Sequence, residues 1–477
     1  MNKLILSLCM AAALGGSTTT DSFARSEKRG VSENEFRYVQ QAEALAPGVT
    51  WYYNWGNTPH ASTADYEEMS YAPMCWNANY NADAIRNYVK THPNVKYLLG
   101  FNEPNFVKQA NMTPAQAAEK WPAVKALAKE LGLKLVAPAL NYSPDTWQPV
   151  AWMDEFLRIL NDPDPFDYLA LHNYGGLGVM QGLTTEFHER YGKEVFVTEF
   201  CYWPGESGTV KPESQIFSMI ESVQWLEKTD WIKGYAWFKA IGQSSANSGP
   251  NYGLILSGKG DEKRELSEQG YVYVYMTDFN PEVWNPVNTT IAASEYIDSS
   301  GIALRKGNNP DCPRPIEISQ FNSGATVDYQ FDVPAAGEYT LNLYVSGMGE
   351  PTRFDPCLAI YQVNADGKQG KLLSPQKQFA LTNSDTQYEF VSFPMTLEAG
   401  HQTIRIKDMY AFQPSGIRIS TVRLSDSDDT AVDAIQADYL QTEPTYYTLQ
   451  GLQIDAPTTP GIYIRRHGNE SRKIVVK

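Results

Sequence analysis

Short apolar runs alternate with amphipathic stretches over roughly the first half of the chain. The amphipathic stretches have helical spacing, for example at 81–92, 113–131 and 212–229, where apolar side chains recur on one face. Thr113-Pro114 is a typical helix start and Gly132 a typical helix end. The apolar runs predict strands at 28–32, 49–56, 70–76, 95–101, 133–140, 166–174, 194–202 and 231–239.

This alternation of strands and helices favours a (β/α)8 TIM barrel. The predicted barrel occupies residues 25–280, with its last helix at 267–276. Residues 281–427 show period-two alternation instead, for example at 325–333, 339–345, 390–397 and 403–408, and this pattern predicts a β-sandwich. Residues 428–477 are predicted to form a linker and a short C-terminal β tail.

The N-terminus is typical of a secretory signal peptide at residues 1–24. Lys3 precedes the apolar run 4–13, and Ser22-Phe23-Ala24 offers small residues at the cleavage spacing. No later run approaches the about twenty apolar residues that a membrane helix needs. We therefore expect a secreted, cell-surface or periplasmic protein that is not an integral membrane protein.

Composition and charge narrow the choice of partner. Of 477 residues 42% are hydrophobic, which is typical of a globular protein, and the formal net charge is −16. An acidic surface repels phosphate backbones, so we expect no nucleic acid partner and a neutral substrate instead. The histidines are scattered without zinc spacing, and no dinucleotide or P-loop motif is complete, so we expect no cofactor and assign no metal site. A calcium site in the β region, assembled from distant residues, stays open. We expect a monomer.

Four cysteines follow the predicted cleavage site: Cys75, Cys201, Cys312 and Cys357. Cys312 and Cys357 both lie in the β-rich region, which is compatible with a disulfide between them. Cys75 and Cys201 are expected to be buried free thiols.

Two glutamates carry the sharpest chemical signal. The strand at 95–101 leads directly into Asn102-Glu103-Pro104, and Pro104 ends the sheet pairing. The strand at 194–202 is apolar until Glu199. Active sites of barrel enzymes lie at the carboxyl ends of the strands, so both carboxylates are expected at one mouth.

Such a pair suits glycosidic cleavage, because one carboxyl donates a proton to the leaving oxygen while the other, ionised, attacks the sugar carbon. The alternative is a structural role for each glutamate, as a helix cap or an ion-pair partner.

Aromatic residues crowd the same strand ends, and their rings can pack against the C–H faces of sugars. About half of them are expected to be core instead. Those nearest the strand ends are the better candidates for a carbohydrate groove: Trp55, Trp76, Trp203 and Trp237. His172 is expected to hydrogen-bond substrate or Glu103, and Tyr174 to hold the ionised nucleophile in place.

These residues resemble a known superfamily. Asn102-Glu103-Pro104 and Thr198-Glu199-Phe200 resemble clan A glycosidases, which are (β/α)8 barrels with the acid/base on strand four and the nucleophile on strand seven. More narrowly, several segments resemble glycoside hydrolase family 128: Trp51-Tyr52-Tyr53-Asn54-Trp55, Tyr71-Ala72-Pro73-Met74-Cys75-Trp76, Leu99-Gly100-Phe101-Asn102-Glu103-Pro104-Asn105, Val136-Ala137-Pro138-Ala139 and Ala236-Trp237-Phe238.

The resemblance implies a retaining endo-β-1,3-glucanase acting on β-glucan. Glu103 would be the acid/base, Glu199 the nucleophile and Asn102 a donor to the sugar 2-hydroxyl. Further implied subsite residues are Asn54, Trp55, Trp76, Tyr174, Trp203 and Trp237.

The later segments carry weaker resemblances. Through Val327-Asp328-Tyr329-Gln330-Phe331 and related stretches, the β region resembles carbohydrate-binding modules of the family 6 type, with a structural spacer as the alternative. The tail resembles small C-terminal β domains of secreted Bacteroidetes proteins, some of which are sorting signals. Two alternative functions remain open: a clan A glycosidase for another β-linked polysaccharide, and a surface glycan-binding protein without catalysis.

Overall fold

The computed structural model describes residues 25–34, 36–142, 147–203, 210–242, 251–256, 264–349, 355–410, 416–426, 445–448, 453–454, 457, 459, 461–467 and 470–476. The predicted signal peptide at 1–24 and most of the predicted linker lie outside these residues.

The first domain is built from strands and helices that alternate along the chain. Its strands are β1 (Arg29–Ser32), β2 (Trp51–Tyr53), β3 (Ser70–Tyr71), β4 (Tyr97–Leu99), β5 (Lys134–Asn141), β6 (Tyr168–Asn173), β7 (Val195–Phe200) and β8 (Ile232–Phe238). Its helices are α1 (Val39–Leu45), α2 (Ala82–Thr91), α3 (Pro114–Leu131), α4 (Pro149–Leu160), α5 (Leu177–Tyr191), α6 (Pro212–Lys228) and α7 (Glu268–Tyr275), with a short 3-10 turn at Ala61–Thr63.

The eight strands are parallel and close into a barrel. They follow the order β3-β2-β1-β8-β7-β6-β5-β4, and the two end strands meet through a parallel bridge between Met74 and Leu99. The N–H of Cys75 donates to the Leu99 carbonyl at 2.9 Å. The predicted (β/α)8 architecture is confirmed, because every predicted strand is present.

Large rings fill the barrel interior. Trp51 and Phe196 pack edge to face, with ring centroids 5.7 Å apart. Small residues on the neighbouring strands make room for them: a Cβ added to Gly30 would lie 2.3 Å from the Trp51 ring, and one added to Gly234 would lie 2.4 Å from the Phe196 ring. The interior is therefore a packed core and not a pore.

A ten-stranded, mostly antiparallel sheet forms the second domain, as the alternating pattern predicted. Its strands are β9 (Asn285–Pro286), β10 (Thr290–Ala292), β11 (Asp298–Lys306), β12 (Ile316–Val333), β13 (Gly337–Ser346), β14 (Cys357–Val363), β15 (Gln369–Gln378), β16 (Glu389–Leu397), β17 (Gly400–Asp408) and β18 (Arg418–Asp426). A separate four-stranded antiparallel sheet follows, with β19 (Thr445–Thr448), β20 (Gln453–Ile454), β21 (Gly461–His467) and β22 (Glu470–Val476).

The possible disulfide between Cys312 and Cys357 is not formed, whereas the expected free thiols of Cys75 and Cys201 are confirmed. Cys75, Cys201, Cys312 and Cys357 are all free thiols. The Cys312 thiol faces the Ser420 carbonyl at 3.3 Å, whereas Cys357 begins β14 opposite Gln378. A shared β-rich region did not bring the two sulfurs together.

Within the part of the chain that the structure describes, no helix combines the length and apolar character needed to cross a bilayer.

Arg29 ties the first barrel strand to the end of the barrel. Its side chain is 2% exposed and pairs with Glu227 of α6 at 3.2 Å. It also donates to the carbonyls of Tyr273, Met276 and Thr277 at 2.9, 2.9 and 2.7 Å. One buried guanidinium therefore joins β1, α6 and the segment that leads into the second domain.

Arg29→Ala should lower the free energy of unfolding by about 3–5 kcal/mol, because it leaves the Glu227 carboxylate buried without its cation. Urea unfolding followed by tryptophan fluorescence measures the change. Arg158→Ala is the matched control, since Arg158 pairs with Glu155 on the surface, and it should leave the midpoint unchanged. Equal midpoints for the two variants would contradict this role for Arg29.

Candidate active site

The carboxyl ends of β4 and β7 bring two glutamates to one barrel mouth. Glu199 lies within β7, and Glu103 follows β4 in a left-handed backbone conformation with φ of 46°. That conformation costs a non-glycine residue about 1–3 kcal/mol and persists only where the surroundings enforce it. Here the Glu103 N–H donates to the Ala139 carbonyl of β5 at 2.8 Å, which fixes the turn.

Both carboxyls are buried and close together. Glu103 is 3% exposed and Glu199 is 4% exposed. One oxygen of each, together with a ring nitrogen of His172, lies within 4.8 Å of the others. The His172 Nδ1 is 2.7 Å from Glu103 Oε1 and 3.4 Å from Glu199 Oε2, so this ring nitrogen faces both carboxyls.

Glu199 accepts hydrogen bonds on both oxygens. The indole N–H of Trp55 donates to Oε1 at 2.7 Å, and the Tyr53 hydroxyl lies 3.1 Å from the same atom. The Tyr174 hydroxyl donates to Oε2. Trp55 has only a donor to offer, so this surrounding suits an ionised carboxylate.

Glu103 has a different surrounding. Its Oε1 accepts from the Asn141 amide at 2.9 Å and from His172. Its Oε2 accepts no hydrogen bond from the residues that the structure describes, and Glu103 itself lines the open cleft. The two carboxyls therefore differ in their hydrogen bonds: Glu199 accepts on both oxygens, whereas Glu103 accepts only on Oε1 within the described residues.

Burial dominates the electrostatics of the site. It raises the pKa of Glu199 above its usual value; the neighbouring Glu103 adds to the rise, while His172, Tyr174 and Trp55 oppose it. Burial alone would lower the pKa of His172, but the charges of Glu199 and Glu103 raise it overall. Burial and then the Glu199 charge raise the pKa of Tyr53 and Tyr174, so both hydroxyls remain protonated donors.

A cleft of about 650 Å³ opens above the carboxyls. Of the predicted groove residues it is lined by Asn102, Trp55, Trp76, Tyr174 and Trp203, besides the two glutamates. Asn102 Oδ1 and the Trp203 indole N–H are buried, and neither has a hydrogen-bond partner among the residues that the structure describes. Polar atoms left unpaired beside a cleft are suited to pair with a ligand.

Two predicted groove residues lie elsewhere. Trp237 is 1% exposed, donates to the Tyr252 carbonyl at 2.7 Å and packs on Phe200. The alternation of β8 turns Trp237 towards the helices, whereas Phe238 lines the cleft. The Asn54 side chain is not in the cleft either, because it holds the turn after β2: its amide donates to Thr58 O and its oxygen accepts from Gly56 N–H.

Sequence reasoning missed several cleft residues. The missed lining residues are Asn34, Phe106, Gln109, Asn141, Tyr142 and Phe238. Sequence reasoning also missed Tyr53, a buried residue whose hydroxyl donates to Glu199. Asn141 shares the signal that revealed the glutamates, since it is a polar residue that ends an apolar strand. Gln109 and Phe106 lie in the loop after β4, where no periodicity marks them.

The cluster of Glu103, His172 and Glu199 also meets the distance limits of a cation site. The N–H and O–H groups of Trp55, Tyr174 and Asn141 already point at these carboxylate oxygens. Donors in those positions favour a hydrogen-bonded carboxyl pair over metal ligation.

Two unequal carboxyls at the mouth of a (β/α)8 barrel, beside an aromatic cleft, are the architecture of a glycoside hydrolase. The family model described as glycosyl hydrolase catalytic core matches residues 30–273, just over half of the chain. The chain belongs to this family.

Solved structures similar to this chain carry consistent names. A subgroup II GH128 endo-β-1,3-glucanase from Pseudomonas viridiflava is 33% identical, covers 53% of this chain and 98% of its own, and has a TM-score of 0.47. A subgroup I GH128 endo-β-1,3-glucanase from Amycolatopsis mediterranei, in complex with laminaritriose, is 27% identical and covers 52% and 98%, with a TM-score of 0.42.

A third similar structure is a subgroup III GH128 curdlan-specific exo-β-1,3-glucanase from Blastomyces gilchristii. It is 26% identical and covers 52% of this chain and 97% of its own, with a TM-score of 0.41. No curated protein matches the chain.

Glu199→Gln should raise the thermal midpoint at neutral pH by about 2–4 °C, the effect of roughly 1 kcal/mol in a domain of this size. The raised pKa of Glu199 means that its ionisation costs the folded state stability. That cost is absent below the unfolded value of 4.5 and grows as pH rises through the folded pKa.

The increase in thermal midpoint of Glu199→Gln over the wild type should therefore shrink as pH falls from 7.5 towards 4.5. Calorimetry across this range measures it, with Glu119→Gln as the exposed control. A gain that grows on acidification would contradict the assigned direction.

Proposed function

We propose that this glycoside hydrolase is a secreted endo-β-1,3-glucanase that retains the configuration of the anomeric carbon. The observation that carries the proposal is the Glu103/Glu199 pair: one oxygen of each carboxyl lies within 4.8 Å of the other, and both residues line an open aromatic cleft. Retaining glycosidases place their two carboxyls about 5–5.5 Å apart, whereas inverting enzymes leave about 6.5–9.5 Å for an intervening water.

In the first step, the Glu199 carboxylate attacks the anomeric carbon and forms a C–O bond. The glycosidic C–O bond breaks, and its electron pair stays on the departing oxygen. Glu103 delivers its proton to that oxygen, so the leaving group departs as a neutral alcohol. The donors on Glu199 hold the attacking oxygens in place. Glu103 lines the cleft, and its Oε2 accepts no hydrogen bond from the described residues.

In the second step, water attacks the same carbon from the face that the leaving group vacated. Glu103, now ionised, takes one water proton, and the bond to Glu199 breaks to restore its carboxylate. Two inversions at one carbon give net retention. Both glutamates end as they began, so the cycle consumes only water.

The cleft supports a neutral polymer as substrate. Trp55, Trp76 and Trp203 offer ring faces, and Asn102 and the Trp203 N–H offer unpaired polar atoms for sugar hydroxyls. Asn102 is the proposed partner of the 2-hydroxyl. The net charge of −16 disfavours an acidic polysaccharide. The β-1,3 linkage is proposed from the family 128 motifs and from the names of the similar structures.

Secretion and glycan binding by the second domain belong to the same proposal. Secretion is supported by the signal-like residues 1–24, and glycan binding by the module-like motifs.

Glu199→Ala should lower kcat on laminarin by at least about 10³-fold, because the covalent route is lost. With wild-type enzyme, NMR of the products at early times should show the β-anomer first. The α-anomer as first product would overturn retention, and unchanged turnover by Glu199→Ala would overturn the nucleophile assignment.

Endo action predicts a mixture of medium-length oligosaccharides early in digestion of a long β-1,3-glucan. Chromatography of timed samples measures the product lengths. Glucose alone from the first minutes would point to exo action instead, and turnover of β-1,4-glucan but not β-1,3-glucan would overturn the linkage.

A further inference from the structure

The Asn105 side chain forms two hydrogen bonds with the main chain at the end of β5, one as acceptor and one as donor. It is fully buried, its Oδ1 accepts from the Asn141 N–H at 3.0 Å, and its Nδ2 donates to the Asn141 carbonyl at 3.0 Å. The same Nδ2 reaches the Trp147 carbonyl at 3.1 Å. The side chain of Asn105 therefore fixes the main chain of Asn141 against the loop that carries Glu103.

While its main chain is bonded to Asn105, the side chain of Asn141 extends to Glu103. Its amide donates to Glu103 Oε1 at 2.9 Å. The His172 Nδ1 contacts the same oxygen at 2.7 Å. The Asn141 amide is a donor to Oε1, and His172 Nδ1 is a second donor when that ring nitrogen carries the proton. The other oxygen, Oε2, accepts no hydrogen bond from the described part of the chain.

A carboxylic acid carries its proton on one oxygen and accepts hydrogen bonds on the other. A proton on Oε1 would face the Asn141 amide N–H, which can only donate, and that hydrogen bond would be lost. A proton on Oε2 leaves that bond intact. Oε2, which accepts no hydrogen bond from the described residues, is therefore the oxygen that carries the proton.

We propose that Asn141, held by Asn105, is a positioning residue that keeps the transferable proton of Glu103 on Oε2, directed at the glycosidic oxygen. This inference rests on the proposed function, because it assigns Glu103 the role of the acid. The oxygen that donates the proton is then Oε2 of Glu103, and Asn141 and Asn105 keep the proton on that oxygen.

The role makes a prediction that depends on the leaving group. An alkoxide leaving group needs the proton, whereas 2,4-dinitrophenolate departs as a stable anion and needs none. Because kcat/KM reports only the steps through the first bond cleavage, it isolates protonation of the leaving oxygen from the later attack of water.

The test measures kcat/KM on laminarihexaose and on 2,4-dinitrophenyl β-laminaribioside. For Asn141→Ala we expect a loss of about 10²-fold or more on the hexaose, the usual size of general acid catalysis, and a loss within about 3-fold on the aryl substrate. Asn105→Ala should show the same split. Asn141→Leu removes the donor with little change in volume and adds no charge beside Glu103, and it replaces Asn141→Ala if circular dichroism shows that variant to be unfolded.

Asn173→Ala is the matched control. Asn173 is buried at the end of the next strand, donates to Gly175 O at 3.0 Å and bonds neither carboxyl. Any loss of kcat/KM in Asn173→Ala should be equal on the two substrates.

Equal losses on both substrates for the Asn141 variants, or no loss on either, would overturn the positioning role. Failure of the wild-type enzyme to cleave either substrate would instead overturn the proposed function, so the two failures are distinguishable.

Discussion

The structure depends on holding two carboxyl groups close together in a buried site. Like charges at this separation repel, and burial removes the water that would screen them. The fold compensates by directing N–H and O–H donors from different strands at the oxygens: Trp55 and Tyr53 follow or belong to β2, Asn141 ends β5, and His172 and Tyr174 end β6. Because these donors come from the ends of three strands, of which β2 is far in sequence from β5 and β6, the site exists only when the barrel is closed.

The sequence revealed the barrel because its periodicity is local. Apolar runs, Thr113-Pro114 and Gly132 each mark an element without reference to the rest of the chain. The two glutamates were visible for a related reason, since a charged residue that ends an apolar strand must lie near a barrel mouth.

What the sequence could not supply is the direction of each side chain. A strand end places a residue at the mouth, but a shift of one position along the strand decides between cleft and helix layer. Trp237 and Phe238 are adjacent, yet the first is core and the second faces the cleft. Asn54 was misplaced because its polar atoms serve its own turn. Cys312 and Cys357 share a sheet region, but only register decides whether sulfurs meet.

Arg29 has a consequence for the order of events during synthesis. It belongs to the first strand to leave the ribosome, whereas its partners at residues 227 and 273–277 emerge much later. Until then its guanidinium has no buried site to enter, and β1 lacks its neighbour β8. A nascent chain that stops short of these partners cannot complete the barrel. The barrel therefore folds only after nearly all of the barrel domain has been translated.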